Sequence, residues 1–383
     1  MLKKRFNIIH LFMAIGMSLV VVMGGVIYFL QQGLGPNWQL VPFLQTLTLI
    51  QTKFDGEFKP EDLSAGALRG MVKELKDPYS TYLDQNDFAA LNTMTGGHFG
   101  GVGMVMGKKE QQLIVIAPIE DTPAYRAGIK SGDVITAIDG KSIEGEELEQ
   151  VVKKIRGPHG TTVELMVKTG AAEPRLVRIV RDEIKIKSVY GEMKEQNIGY
   201  IRITSFSEDT GKDFREKYQE LAAQGMKGLI LDLRDNPGGL LNTGVDVAKM
   251  LVPKGPIVSV KEKDGTTKTE YSQLKKVPYP LAILVNKGTA SASEIVSGAV
   301  QDTGAGKLFG TTTYGKGSVQ NVFTLTKDTG LKLTIAKYYT PSGRSISGIG
   351  IEPDVKVEPS DDKGTNQLAA AKKFLQNEIK AGR

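Results

Sequence analysis

The chain has 383 residues, enough for two or three domains that each bury a core. Its 40% apolar and 24% charged residues are an ordinary globular balance, and a net charge of +6 without an arginine-aromatic patch argues against nucleic acid as a partner. The absence of cysteine excludes disulfides, thiolate nucleophiles and cysteine-ligated zinc.

Residues 1–31 begin with a basic cluster, Lys3, Lys4 and Arg5, followed at 8–30 by a run that is apolar except for His10, Ser18 and glycines. That length spans a bilayer as a helix, exceeds the apolar core of a signal peptide, and is followed by QQGLGP without a small-x-small cleavage site. An uncleaved single-pass anchor in the cell membrane is expected. Its basic end faces the cytoplasm, which places everything after residue 31 outside it.

Residues 32–95 are predicted to be mostly helical. Leu47, Ile50 and Phe54, then Leu68, Met71, Val72 and Leu75, recur at spacings of three and four until Asp77-Pro78 ends the pattern. The glycine cluster at 96–103 opens a compact module over 96–172, with strand-like GVGMVM, LIVIAPI, DVITAIDG and TVELMV around helical patches at 123–127 and 144–155. A larger α/β section occupies 173–360, entered through 178–181. In it IGYIRI, GLILDLR and LAILVNK read as buried strands separated by helices at 209–224 and 244–251. The tail, 361–383, is charged and then helical, a packing helix or one that joins a homodimer through the terminal helices.

Chemistry has to be found with almost no histidine. His10 lies in the apolar run, and His98 and His159 lie in loop-like sequence of the small module. No HExxH pair and no GxSxG elbow is present, so metal-centred and Ser-His-Asp chemistry are not expected and no cofactor is assigned. GTASASEIVSGAVQD, at 288–302, crowds small hydroxyl residues against a helical pattern over 293–301, with Ser293 placed to cap it. A serine there can use a lysine as base, provided burial lowers the amine's pKa from about 10.4. Ser272 and Lys275 have SxxK spacing but sit in a charge-rich stretch unsuited to burying an amine. Lys316, in TTYGKGSVQNV, is flanked by glycines that permit close backbone approach and is followed by a strand-like alternation. The same stretch matches the first seven positions of a phosphate-binding loop from Gly310 to Lys316. The eighth is Gly317 instead of Ser or Thr, a strand pattern follows, and an external location withholds nucleotide.

Four motifs in order, DPYSTYL at 77–83, GGVGM with TPAYRAGIKSGD at 122–133, LILDLRDNPGG at 229–239 and SASEI with YGKGSVQ at 291–320, resemble those of the carboxy-terminal processing proteases, serine peptidases with a lysine base and an embedded PDZ domain. YYTPSGRSISGIGIEPDV completes the likeness, which covers nearly everything from about residue 40 to 356. It implies an α/β chain: a crotonase-like serine protease core with an inserted PDZ domain, behind the N-terminal transmembrane helix. Carried over by position, Ser291 is the nucleophile, Lys316 the general base and Gln320 the residue that orients it. Residues four apart on a strand share a face, which allows Lys316 and Gln320 direct contact. Asp302 also matches a family position and reads as a hydrogen-bonding residue at a helix end.

Ser291 precedes a helical run, so the N-H of Ala292 is one expected oxyanion donor and that of Gly238 or Gly239, in NPGG, the other. In the PDZ module Gly101, Val102, Gly103 and Met104 form the loop that receives a free carboxylate, with Leu148, Val151 and Val152 as candidate pocket walls that equally suit the module's own core. Arg156 is the resemblance's contact between PDZ and protease parts. The implied activity is a serine endopeptidase acting on protein substrates held by their C-termini. A catalytically silent membrane-anchored PDZ scaffold is the alternative, against which the intact Ser291, Lys316 and Gln320 argue.

Overall fold

The computed structural model describes residues 40–109 and 112–382, together with positions 17, 18, 24, 25 and 28. The expected membrane span at 8–30 therefore lies almost wholly outside the described residues, and among those described no helix is long and apolar enough to cross a membrane. The chain divides into two compact units, one up to Gly66 and one from Ala67 onward. The first contains α1 (Leu40–Lys53) and the start of α2 (Pro60–Lys73), which opens with proline and then Glu61 and Asp62, suited to the positive end of a helix.

In the second unit the expected helices are interrupted by a short strand, β1 (Thr81–Leu83), before α3 (Gln85–Gly96). The carboxylate of Asp84 caps α3 by accepting from the N-H groups of Asn86 and Asp87, both at 3.0 Å. Two antiparallel strands, β2 (His98–Gly101) and β9 (Asp182–Lys185), then carry the chain into and out of the small module side by side, in register from His98 opposite Lys185 to Gly101 opposite Asp182. Between them run β3 (Met104–Lys109), β4 (Gln112–Pro118), α4 (Pro123–Arg126), β5 (Val134–Ile138), β6 (Lys141–Ser142), α5 (Leu148–Ile155), β7 (Thr162–Lys168) and β8 (Arg175–Val180). The sheet order is β3-β4-β5-β7-β8, with β6 on β5.

The module has its own core, in which Val115, Val151, Val163, Leu165 and Val167 are fully buried. The boundary expected at 172 is too early, because β8 pairs along β7 from Thr162 opposite Val180 to Val167 opposite Arg175. Residues 178–180 thus belong to the last strand of the small module and are not a lead into the larger one. Its sequence alternates, with Val177 and Ile179 inward and Leu176 and Val180 exposed, a one-faced strand inside a charge-rich stretch.

The larger section consists of two sheets around shared helices. Its elements are β10 (Val189–Lys194), β11 (Ile198–Ile203), α6 (Thr210–Ala223), β12 (Gly228–Asp232), α7 (Leu241–Lys249), β13 (Gly255–Glu262), β14 (Thr267–Ser272), β15 (Leu281–Val285), α8 (Ala292–Asp302), β16 (Lys307–Gly310), β17 (Ser318–Thr326), β18 (Thr329–Tyr339), β19 (Val355–Lys356) and α9 (Thr365–Lys380). A six-stranded sheet runs β10-β11-β12-β15-β16-β19, parallel except for β10 on β11.

Its central strands are buried on both faces. Leu229, Leu231, Ile283 and Val285 pack with Phe214 of α6, Val247 of α7 and Val296 of α8, whereas Ile230, Ala282 and Leu284 pack with Ala371 and Leu375 of α9. The tail helix thus packs within its own chain. The second sheet centres on β18. One edge of β18 pairs with β17; along the other, β1 pairs at Thr81 opposite Lys332 and β13 at Val260 opposite Tyr338, with β14 beyond. Val258 and Tyr338 of this sheet join the core around α6 to α8.

Candidate active site

Ser291 sits where the turn after β15 meets α8, with φ 57° and ψ −117°, a backbone conformation that a residue with a Cβ adopts only under constraint. The constraint is supplied from several sides. The N-H of Ser291 donates to Glu294 Oε2 at 2.8 Å, and its carbonyl accepts from the Tyr338 hydroxyl at 3.2 Å. Buried Asn236, in the loop after β12, accepts through its carbonyl from the Ala290 N-H at 3.0 Å and the Ser293 hydroxyl at 3.1 Å. Ser293 is accordingly a tie to that loop and not the expected cap. The helix begins one residue earlier, with Ser291 itself in the cap position.

The NPGG turn lies against the Ser291 turn. A Cβ on Gly238 would stand 2.7 Å from Ser291 Cβ, and one on Gly239 only 2.1 Å from the carbonyl of Phe206, so neither position admits a side chain without backbone movement. The Gly238 N-H is already taken by Asn236 Oδ1 at 2.9 Å. Gly239 and Ala292 N-H groups have no acceptor among the described residues, which narrows the expected oxyanion donors from three to these two.

Lys316 reaches the site on a loop, 311–317, that packs backbone to backbone against 346–350. A Cβ on Gly317 would be 2.8 Å from the Ser347 N-H nitrogen, and the Gly348 N-H donates to the Gly315 carbonyl at 2.8 Å. Burial pushes the Lys316 amine below the ordinary lysine value, aided by the like charge of Lys332 and opposed by the carboxylates of Glu294 and Asp77. Its Nζ lies 5.1 Å from the centroid of the Tyr79 ring. No hydrogen bond joins Lys316 Nζ to Ser291 Oγ among the described residues.

The two turns are fastened together by Glu294, a residue sequence reasoning passed over. Its fully buried carboxylate accepts from the Thr313 hydroxyl at 2.6 Å, the Gly315 N-H at 2.7 Å, the Ser291 N-H at 2.8 Å and the Lys316 N-H at 2.9 Å. One oxygen, Oε2, thus holds the backbone of both the serine and the lysine. The signal was present as the S-x-x-E spacing of a capping box.

Gln320 is not in hydrogen-bonding contact with Lys316. Its amide donates to Ser318 Oγ at 2.9 Å and Thr334 Oγ1 at 3.2 Å. Lys316 and Gln320 are not four apart on one strand: β17 starts only at Ser318, so Lys316 precedes it, and a register shift between Val319 and Gln320 breaks the alternation. Asp302 lies at the other end of α8, where Oδ2 accepts from the Ser342 N-H at 3.0 Å and hydroxyl at 2.6 Å and Oδ1 pairs with Arg344.

His98 and His159 face Glu183 at 3.8 Å and Asp182 at 3.1 Å on β9, and neither contacts Ser291 or Lys316 among the described residues. The phosphate-loop reading is excluded by geometry: β16 ends at Gly310 and a strand, not a helix, follows the loop. Ser272 is buried with its hydroxyl on the Val252 carbonyl, while Lys275 is exposed.

In the small module a groove is lined by Phe99, Gly101, Val102, Gly103, Met104, Met106, Val152, Ile155 and Arg156. It brings together four expected loop residues and one of three expected wall residues. Val151 is fully buried in the module's core and Leu148 packs on that core, so these two are corrected to packing roles. On α5 the exposed-side neighbour Val152 and the helix end Ile155 face the groove instead. The Val102 and Gly103 N-H groups have no acceptor among the described residues, and β3 is a sheet edge. Arg156 lays its guanidinium over Phe99, 4.5 Å from the ring centroid, and so contacts connector strand β2 at the junction between module and core.

Comparison with known proteins agrees with this anatomy. The family model described as Peptidase family S41 matches residues 197–357, that of the PDZ domain matches 114–169, and that of the activating protease CtpB N-terminal domain matches 36–87. The carboxy-terminal processing protease CtpA of Bacillus subtilis (strain 168) is 39% identical over 328 residues, covering 85% of this chain and 70% of the relative. A probable CtpA-like serine protease of Staphylococcus aureus (strain N315) is 40% identical over 324 residues, covering 83% of this chain and 65% of the relative. The chain thus spans about two thirds of the length of these relatives. Among solved structures, the photosystem II D1 C-terminal processing protease is 31% identical with a TM-score of 0.48, covering 84% of this chain and 89% of that one. With its mixed α/β protease section, its PDZ domain and this degree of identity, the chain belongs to the carboxy-terminal processing protease family and is a serine-type peptidase.

Proposed function

We propose that the protein is an endopeptidase that takes up the free C-terminus of a protein in its PDZ groove and cleaves the peptide chain with Ser291 and Lys316. The observation that carries this reading is the Glu294 carboxylate, which holds the N-H of Ser291 and the N-H of Lys316 on one oxygen. The neutral amine of Lys316 removes the Ser291 proton as Oγ attacks the scissile carbonyl carbon. The resulting oxyanion is stabilised by the N-H groups of Gly239 and Ala292. Collapse breaks the C-N bond, the leaving amine takes the proton back from Lys316, and water hydrolyses the acyl-enzyme by the same proton route. Gln320 enters as part of the strand that follows Lys316, its amide engaged by Ser318 and Thr334.

In the groove the Val102 and Gly103 N-H groups receive the terminal carboxylate, Met104, Met106 and Val152 suit an apolar last side chain, and the peptide extends along the free edge of β3. The apolar run at 8–30 supports tethering to the cell membrane with the catalytic part outside the cytoplasm.

The test is cleavage of a peptide ending in an apolar residue, as free acid and as amide. Ser291→Ala and Lys316→Ala should each abolish cleavage at unchanged folding, and the amide should be cut less efficiently. Turnover of the parent should rise with pH through a lysine pKa below 10.5, because only the neutral amine accepts the proton. Binding of the free acid without cleavage by the parent would leave a C-terminus-binding scaffold.

A further inference from the structure

The ring of Tyr79 reaches the base from DPYS, the segment before β1, on the other side of the PDZ insertion. Lys316 Nζ stands over its face, 5.1 Å from the centroid, within the range of a cation-π contact, while no hydrogen bond takes the amine to Ser291. Both side chains are half-buried, so water does not fully screen the contact. Neighbouring residues fix where Tyr79 sits: the Ser80 hydroxyl donates to Asp77 Oδ2 at 2.5 Å and accepts the Thr334 N-H of β18 at 3.1 Å. The aromatic face is therefore pinned to the sheet that carries Lys332, beside the loop that carries Lys316.

We infer that Tyr79 is a positioning residue: its ring is the resting seat of the protonated Lys316 side chain, which it holds off Ser291 and releases when the amine becomes neutral. An aromatic face attracts an ammonium through its quadrupole, and a neutral amine loses that attraction while becoming competent to accept the Ser291 proton. The charged and titratable groups around Lys316 and the Tyr79 ring are Asp77 from the DPYS segment, Glu294 from α8, Lys332 and Tyr338 from β18, and Tyr314 from the Lys316 loop, which engages the Tyr79 phenol and leaves its ring face to the amine. Asp77, Glu294 and the ring favour the ammonium; burial and Lys332 favour the amine. Taking away the ring's share while keeping an apolar side chain in its place shifts the balance toward the amine.

This inference rests on Lys316 being the base, and the experiment separates the two. The pH dependence of Ser291 acylation by a fluorophosphonate probe, and of peptide cleavage, is measured for the full chain and for Tyr79→Phe, Tyr79→Leu and Lys316→Ala. Tyr79→Leu should move the rising limb to lower pH by up to about one unit, with the high-pH plateau within about twofold of the parent. Tyr79→Phe, which keeps the aromatic face, should follow the parent profile. Should Tyr79→Leu melt early, Tyr79→Met supplies the same ring-free apolar side chain. A limb that stays in place or moves up, or a Tyr79→Phe limb displaced as far as that of Tyr79→Leu, overturns the seat while leaving the base reading intact if Lys316→Ala is inactive. Activity retained in Lys316→Ala overturns the base reading itself.

Discussion

Glu294 is placed at no exposure among four donors, and its two oxygens leave none of them unpaired. Glu294→Gln keeps the size but turns an NH2 group toward one pair of those donors, so two buried donors lose their acceptor. A loss of roughly 3 kcal/mol in unfolding free energy is expected, together with a fall of at least about tenfold in kcat at little change in KM. Urea unfolding and steady-state kinetics check it, and a variant with parental kcat would show that the serine and lysine turns hold their places unaided.

At this scale the sequence is most legible where chemistry forces a residue type. Lys316 is picked out by its flanking glycines, whereas Ser291 is singled out among the hydroxyl residues at 288–302 by the family resemblance. Tyr79 is not, because nothing local marks a tyrosine whose partner comes from beyond an inserted domain. Glu294 looks like an ordinary helix-start glutamate until the Gly315 and Lys316 N-H groups are seen to share it.

Among the elements, the NPGG turn after β12 meets the start of α8 with the least room. Gly239 has φ 144° and its missing Cβ faces the Phe206 carbonyl at 2.1 Å, so Gly239→Ala must move the turn and with it the N-H proposed as an oxyanion donor. Loss of one such donor lowers kcat by about a hundredfold to a thousandfold. Kinetics of Gly239→Ala, with circular dichroism to confirm folding, tests this; near-parental kcat would take the oxyanion role away from that N-H.

The central parallel strands β11, β12 and β15 are readable as apolar runs because both faces are covered. The hairpin β13-β14 is not, since TKTEYS is polar at all positions but one and mostly exposed, whereas the start of β17 is readable from the alternation after Lys316. The bulge next to Gln320 shows the same limit: alternation predicts facing only while the register is unbroken.

Across the molecule, the tail helix is what closes the protease sheet. Ala371 and Leu375 cover Ile230, Ala282, Leu284 and Phe309, and Arg234, paired with buried Asp232, reaches the carbonyls of Lys363 and Gly364 and the side chain of Gln367. Ending the chain after Ser360 uncovers that face and strips Arg234 of three acceptors. Stability should fall by roughly 5 kcal/mol, read as an early calorimetric transition, with Leu375→Ala intermediate. A truncated chain that melts with the parent would mean the sheet face is closed by something else. Domain order along the chain is legible from the motifs, whereas the exit from the PDZ domain is not, because β8 resembles the charged stretch around it.

The pairing of β1 with β18 has a further consequence for a chain made from one end to the other. Thr81 and its neighbours leave the ribosome early, yet the strand they pair with, and the loop bearing Lys316, are made only after the whole PDZ domain and most of the protease section. At about 5–20 residues per second, that wait is roughly 10–50 s. Throughout it the growing polypeptide has Ser291 without the loop that Glu294 joins to it, so under the proposed mechanism the cell handles an unarmed molecule until that loop is made.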